Sequence, residues 1–305
     1  MTNIVYHYTS PEGAYSILKN KSLWFTDCQY LNDKNEFLYI REPFIEAYKK
    51  ISIERGDSLE NIDVFVNSMC FSPYEGYDWS GFLGTGKQKW HGFPPKYRYY
   101  ILCASCDYDT VNMWNYYVKN GMFCGYNLGL DTKVICDWFS QCNNNKVSFE
   151  NGEIIYNKQH QVEILYNKLV NLLDSYDRRK AQSPEGIENF IEEFQNDLSD
   201  FINQQKLFFK HPAFECEKEY RFILKVPNDF RIGENLETKF RVGSSGIITP
   251  YIEWKFENLK PLLLKQITLS PMIEAELAKE SFKRFLHNDV FQNISIVPSS
   301  VKLRY

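Results

Sequence analysis

The order of apolar and polar positions predicts short strands and helices around one longer helical stretch. Residues 3–9, NIVYHYT, carry the β-branched and aromatic residues of a strand. Ser10 then offers a helix N-cap with Pro11 at the first helical position. Ala14, Ile17 and Leu18 give that helix one apolar face, and Asn20 can close it before an extended segment at Leu23-Trp24-Phe25-Thr26. A second helix is expected after Asn32-Asp33, with Phe37, Ile40, Phe44 and Tyr48 at helical spacing. DVFVNSMCFS reads as a strand before a loop rich in glycine and aromatic residues. YYILCASC, at 99–106, reads as a fully buried strand. Asp109 is placed to cap a helix whose Met113, Trp114 and Tyr117 share a face, and 122–128 predicts another strand.

Residues 157–207 differ in character. They are polar and helical in period, with Val162, Leu165, Leu169, Leu172 and Leu173 on one stripe and a break at SPEG, 183–186. Strands are expected at 219–226, 246–252 and 265–269, then a helix at 272–287 and a strand at 294–299. This order predicts an α+β fold, a single domain over 1–305 with a helical hairpin inserted at 157–207.

Composition narrows the class. Of 305 residues, 44% are hydrophobic and 24% charged, which suits a globular chain and excludes a disordered one. The net charge of −4 argues against a globally basic nucleic-acid binder and leaves room for a local patch. No apolar run is long enough for a membrane span, and the start lacks the features of a signal peptide. A cytoplasmic protein without membrane contact is therefore expected. Eight cysteines are then expected as free thiols. Cys103 and Cys106 form one C-x-x-C with no second pair at zinc-site spacing, so no metal is expected.

Three stretches carry candidate chemistry. GFLGTGKQ at 81–88 nearly fits a phosphate loop but has Gln88 where a hydroxyl should hold magnesium. The same region offers a basic and aromatic patch free of acidic residues. Lys87, Lys89, Lys96 and Arg98 alternate with rings such as Trp90, a pattern suited to tracking phosphates and stacking on unpaired bases. FECEKEYRF places Glu215, Glu217 and Glu219 at alternate positions, where strand geometry would turn three carboxylates one way. His7 and Thr9 likewise fall on one face of the first strand, opposite Tyr8.

Taken together, H-Y-T at 7–9, I-L at 17–18, L-W at 23–24, N-D-x-x-E at 32–36, C-A-S at 103–105, M-W-N-Y-Y at 113–117 and E-K-E-Y-R at 217–221 form a pattern. The sequence resembles an uncharacterised prokaryotic family, a domain of unknown function often found near phage-defence genes. More distantly, the opening strand–helix–strand is similar to that of ADP-ribosyltransferases and RNA 2′-phosphotransferases. That resemblance implies a split, mixed or antiparallel sheet core and NAD as substrate, with no metal. It implies that His7, with Tyr8 and Thr9, holds ribose and that Ser105 lines the pocket. Trp114 and Tyr117 would pack on the nicotinamide, Glu219 would be catalytic, and Glu217 would be aimed at the acceptor. The expected activity is ADP-ribosyl transfer by a toxin or antiviral effector, with RNA, DNA or a protein as acceptor and an antitoxin as a further partner. NAD glycohydrolysis, RNA 2′-phosphate transfer and a non-enzymatic partner-binding module stand as alternatives.

Overall fold

The computed structural model describes residues 4–31, 36–56, 97–118, 123–141, 147–182, 187–227, 236–243, 246–257, 259 and 262–302. They fall into two compact units. One draws on Met1–Leu31, Tyr97–Glu153 and Cys216–Tyr305, the other on Asn32–Lys96 and Ile154–Glu215.

The first unit is α+β, built on an open, mixed and mostly antiparallel sheet. Its strands are β1 (Ile4–Thr9), β2 (Ser22–Asp27), β3 (Tyr97–Ser105), β4 (Tyr126–Asp131), β5 (Ser148–Glu153), β6 (Glu219–Pro227), β7 (Leu236–Val242), β8 (Ile248–Lys255), β9 (Leu264–Leu269) and β10 (Ser295–Pro298). The main path runs β10-β9-β4-β1-β3-β2-β8-β7, with β5 joined through β6 to β3; among the described strands β9–β10 is the parallel pair.

The sheet forks at β3. Strand β6 pairs with β3 along its whole length, from Tyr97↔Pro227 to Ser105↔Glu219, and so occupies one edge. The other edge is shared. Strand β2 takes it at Thr26↔Ile101 and Asp27↔Tyr100, and β1 takes it at Tyr6↔Ser105. Neither pairs with the residues between, which include Cys103.

Residues opposite one another in an antiparallel pair project to the same side. The registers therefore sort the side chains of β2, β3, β6, β7 and β8 into two faces. Leu23, Phe25, Leu102, Ala104, Phe222, Leu224, Ile252 and Trp254 share an apolar core. Three helices contribute to it: Leu18 from α1 (Pro11–Asn20), Val134, Ile135 and Phe139 from α4 (Thr132–Gln141), and Ala278 and Phe282 from α7 (Ala275–Phe285). The opposite face carries Trp24, Thr26, Cys103, Ser105, Glu219, Arg221, Arg241 and Tyr251. A short helix, α3 (Val111–Tyr116), packs Met113 and Trp114 with Tyr8 and Val118 in a separate cluster.

Helix α1 starts as its sequence predicts. Ser10 is the N-cap, with its hydroxyl accepting from Gly13 N at 3.1 Å, and Pro11 follows. Gly13 is required by proximity, because a Cβ there would lie 2.1 Å from Thr9 Oγ1. Asp109 corrects another expectation. Thr110, not Asp109, occupies the N-cap of α3. The Asp109 carboxylate instead accepts from Trp114 Nε1 at 2.8 Å and from Ser299 Oγ, Ser300 N and Ser300 Oγ, each at 2.6 Å. Burial opposes its charge, and these donors outweigh burial to hold the acid below its usual range.

The second unit is helical. It contains α2 (Arg41–Arg55), α5 (Lys158–Gln182) and α6 (Ile187–Gln205), the last two being helices within the stretch 157–207 where helical period was read; SPEG lies outside the described residues. Phe44, Ala47 and Ile51 of α2 share a core with Leu165, Leu169, Leu198, Ile202 and Phe209. Helix α2 begins later than Asn32-Asp33 would place it, after a 3-10 turn at Glu36–Leu38. Gln161 is fully buried and satisfied: it accepts from Tyr39 OH at 2.9 Å and donates to the carbonyls of Ile155 and Lys210 at 2.5 and 3.0 Å.

Candidate functional site on the polar sheet face

The Glu-rich segment folds in two parts. Residues Pro212–Glu217 form a 3-10 turn, and β6 begins at Glu219. Glu215 is exposed, whereas Glu217 and Glu219 are buried. The three carboxylates expected on one face thus reduce to two. Lys218 between them adopts a left-handed backbone, φ 41°, uncommon for a residue with a side chain. Its carbonyl accepts from Cys106 N at 2.7 Å, and its ammonium pairs with Asp107 at 2.8 Å.

Ser105 anchors this turn. It is fully buried, donates to the Glu217 carbonyl at 2.7 Å and accepts from Asp107 N at 3.1 Å. Its hydroxyl therefore holds backbone beside the carboxylates. Glu217 Oε1 accepts from Tyr117 OH at 2.9 Å. Burial, then the charges of Glu217 and Glu219, push the Tyr117 phenol far above its usual range, so it stays a neutral donor.

Glu219 meets its own neighbour. Arg221 Nε and Nη2 donate to its two oxygens at 2.7 and 3.0 Å, a bidentate pair with both side chains buried. Residues two apart on a strand share a face, so this pairing is a local consequence of the sequence E-Y-R.

His7 stands at the fork. Its Nδ1 lies 2.9 Å from the carbonyl of Cys103, within the stretch of β3 that neither β1 nor β2 pairs. A carbonyl only accepts, so Nδ1 carries the proton and Nε2 is left as an acceptor. Burial lowers the imidazole pKa; the Cys103 hydrogen bond works against that, and the positive charge of Arg241 adds to it. The ring is therefore neutral at physiological pH.

Hydrogen bonds join Ser105 to the Glu217 backbone and Tyr117 to the Glu217 carboxylate, Glu219 lies opposite Ser105 in the β3–β6 register, and His7 meets β3 at the Cys103 carbonyl, with Tyr6 as the β1 partner of Ser105. The structure separates others. Tyr8 and Trp114 pack edge to face at 4.7 Å, with Tyr8 OH bonded to the Asp107 carbonyl at 3.0 Å and Trp114 fully buried. Thr9 abuts Gly13 beneath α1. Arg98 faces the buried Asp27 at 3.5 Å. Lys87, Lys89, Trp90 and Lys96, like the phosphate-loop-like segment, lie outside the described residues. The Cys106 thiol is pushed up to about 11, chiefly by burial and then by Glu153 and Asp107, which makes it a poor nucleophile.

One participant escaped the sequence reading. Arg241, on the edge strand β7, places its guanidinium 5.3 Å from the Trp24 ring and 5.9 Å from the Tyr251 ring. The alternation K-F-R-V at 239–242, basic on one side and apolar on the other, was the available signal.

Comparison with known proteins adds one relation. No curated protein and no solved structure matches the chain. Among the described residues, no helix is long and apolar enough to cross a membrane. Residues 113–222, from the first turn of α3 into β6, match the model of an uncharacterised domain family described as protein of unknown function (DUF2971).

Proposed function

We propose that the chain is an NAD-dependent ADP-ribosyltransferase that modifies a macromolecule, as a toxin or antiviral effector. The observation that supports this reading is the tautomer-fixed His7 at the sheet fork, bonded to the β3 carbonyl of Cys103, two residues before the Ser105 whose hydroxyl holds the Glu217 backbone and whose register partner is Glu219. In this reading His7 Nε2 accepts a hydrogen bond from a ribose hydroxyl. The bond between C1′ and the nicotinamide nitrogen breaks, and its electron pair leaves with nicotinamide. Positive charge on the ribose is stabilised by Glu219, whose ionised form is maintained by Arg221. An acceptor oxygen or nitrogen then bonds to C1′ and passes its proton to Glu217, oriented by Tyr117. Trp114 and Tyr8 support the site from their own cluster, not from contact with substrate. The acceptor favoured is a nucleic acid, on the strength of the basic and aromatic stretch before β3.

A second reading, RNA 2′-phosphate transfer, draws support from the cation of Arg241 near His7. Labelled NAD incubated with RNA, DNA or lysate separates the activities: label on a polymer means transfer, and free ADP-ribose means hydrolysis. Glu219→Gln is expected to lower transfer about 10²- to 10³-fold with the fold intact by circular dichroism. Undiminished transfer would remove Glu219 from the mechanism.

A further inference from the structure

Arg241 is a cation with no carboxylate partner among the described residues. Among the described residues no acid lies within ion-pairing distance of it. The neighbouring Glu253 is already engaged, by Lys239 at 2.6 Å and Ser22 at 2.9 Å. The guanidinium makes one hydrogen bond, from Nη2 to Thr26 Oγ1 at 3.0 Å, and its Nε is buried with no partner. An unsatisfied buried donor costs about 1 to 3 kcal/mol; Nε is closed to solvent, so an oxyanion would meet the guanidinium at its Nη groups. The Trp24 and Tyr251 rings pack against each other at 4.5 Å, and the guanidinium lies to one side of both, 5.3 and 5.9 Å away. The side chain is half-buried, so it remains reachable from solvent.

We propose that Arg241, beside the packed rings of Trp24 and Tyr251, is a subsite for the phosphoryl groups of a nucleotide on the polar sheet face. An oxyanion supplies what the site lacks: negative charge and acceptors matched to a planar fork of N–H groups. The choice of phosphoryl over carboxylate rests on the transferase reading, because the diphosphate is the anionic part of NAD. Arg241 also acts on His7, whose protonation it opposes, so the subsite and the sheet fork belong to one electrostatic neighbourhood.

The test uses the full chain and four probes: inorganic pyrophosphate, ADP, malonate and NAD. Calorimetry is expected to show pyrophosphate and ADP binding to the unaltered protein, with malonate weaker. Arg241→Ala is expected to weaken ADP binding about tenfold or more, and Arg241→Gln, which keeps much of the stacking stem, by a similar factor. Thermal stabilisation by ADP should vanish in both variants, which a purely structural arginine would not produce. ADP affinity unchanged in both variants overturns the proposal. So does malonate binding as tightly as pyrophosphate, or failure of the unaltered protein to bind either phosphate probe. ADP binding that depends on Arg241, without any turnover of NAD, leaves the subsite standing and sinks the transferase reading. Turnover with an unchanged KM in Arg241→Ala does the reverse.

Discussion

Two arginines on the same sheet face meet opposite fates. At the β6 side, Arg221 is buried and bidentate with Glu219, its charge neutralised by a residue two positions away. At the β7 edge, Arg241 is half-buried beside two packed rings and has no carboxylate among the described residues. A charge removed from water must be compensated, and the two sites differ in where compensation comes from. Arg221 finds it inside the fold. Arg241 has two packed rings and one hydroxyl beside it, which orient it without neutralising it. A buried ion pair therefore holds its charge within the fold, and an oriented cation with no carboxylate among the described residues presents its charge to an anion.

The contrast is most severely tested at Arg221. Arg221→Ala strands a buried carboxylate and should cost about 3 to 5 kcal/mol in chemical denaturation. Pairing Arg221→Met with Glu219→Leu should restore most of that stability while activity stays lost. A single variant as stable as the unaltered protein would mean that the pair is dispensable to the fold. A smaller effect is expected at His7, whose protonation Arg241 opposes. Its folded pKa lies below the ordinary value near 6.5, so the unfolded chain takes up a proton more readily than the folded one. Stability should fall as pH drops below about 6.5, and His7→Gln should flatten that dependence. Parallel stability curves for the two proteins would deny the imidazole this role. The smallest effect is expected at Arg241. Without a carboxylate to strand, Arg241→Ala should cost less than about 1 kcal/mol in the same denaturation measurement. A loss as large as that at Arg221 would make Arg241 a structural element and erase the contrast.

What could be read from the sequence follows the range of the forces involved. The first strand, the Ser10 cap and the two helices within 157–207 arise from neighbours a few residues apart, and all appear where the pattern puts them. Helix α4 was equally readable, since Val134, Ile135, Trp138 and Phe139 have helical spacing, but it carried no expectation. Strand β5 lacks a strong apolar alternation and has an unpaired edge in the described sheet, whereas the alternation of β7, L-E-T-K-F-R-V, was present and carried no expectation. The Glu217–Tyr117 contact spans 100 residues and the Arg241–Thr26 contact 215. Such contacts depend on strand order and register, which no local spacing encodes. Local grammar also misled at Asp109, where a cap residue next to a helix start is used instead to tie down Ser299 and Ser300.

Strand β3 has three partners, and this fixes its frame more tightly than any one of them could. A slip of one residue against β6 would turn Phe222 and Leu224 outward and drive Arg221 and Glu219 into the hydrocarbon interior. The same slip would break the matches to β1 and β2 at once. Insertions and deletions should therefore be tolerated in the connections and rejected within 97–105, which makes that nonapeptide the datum from which every position on the charged side is measured.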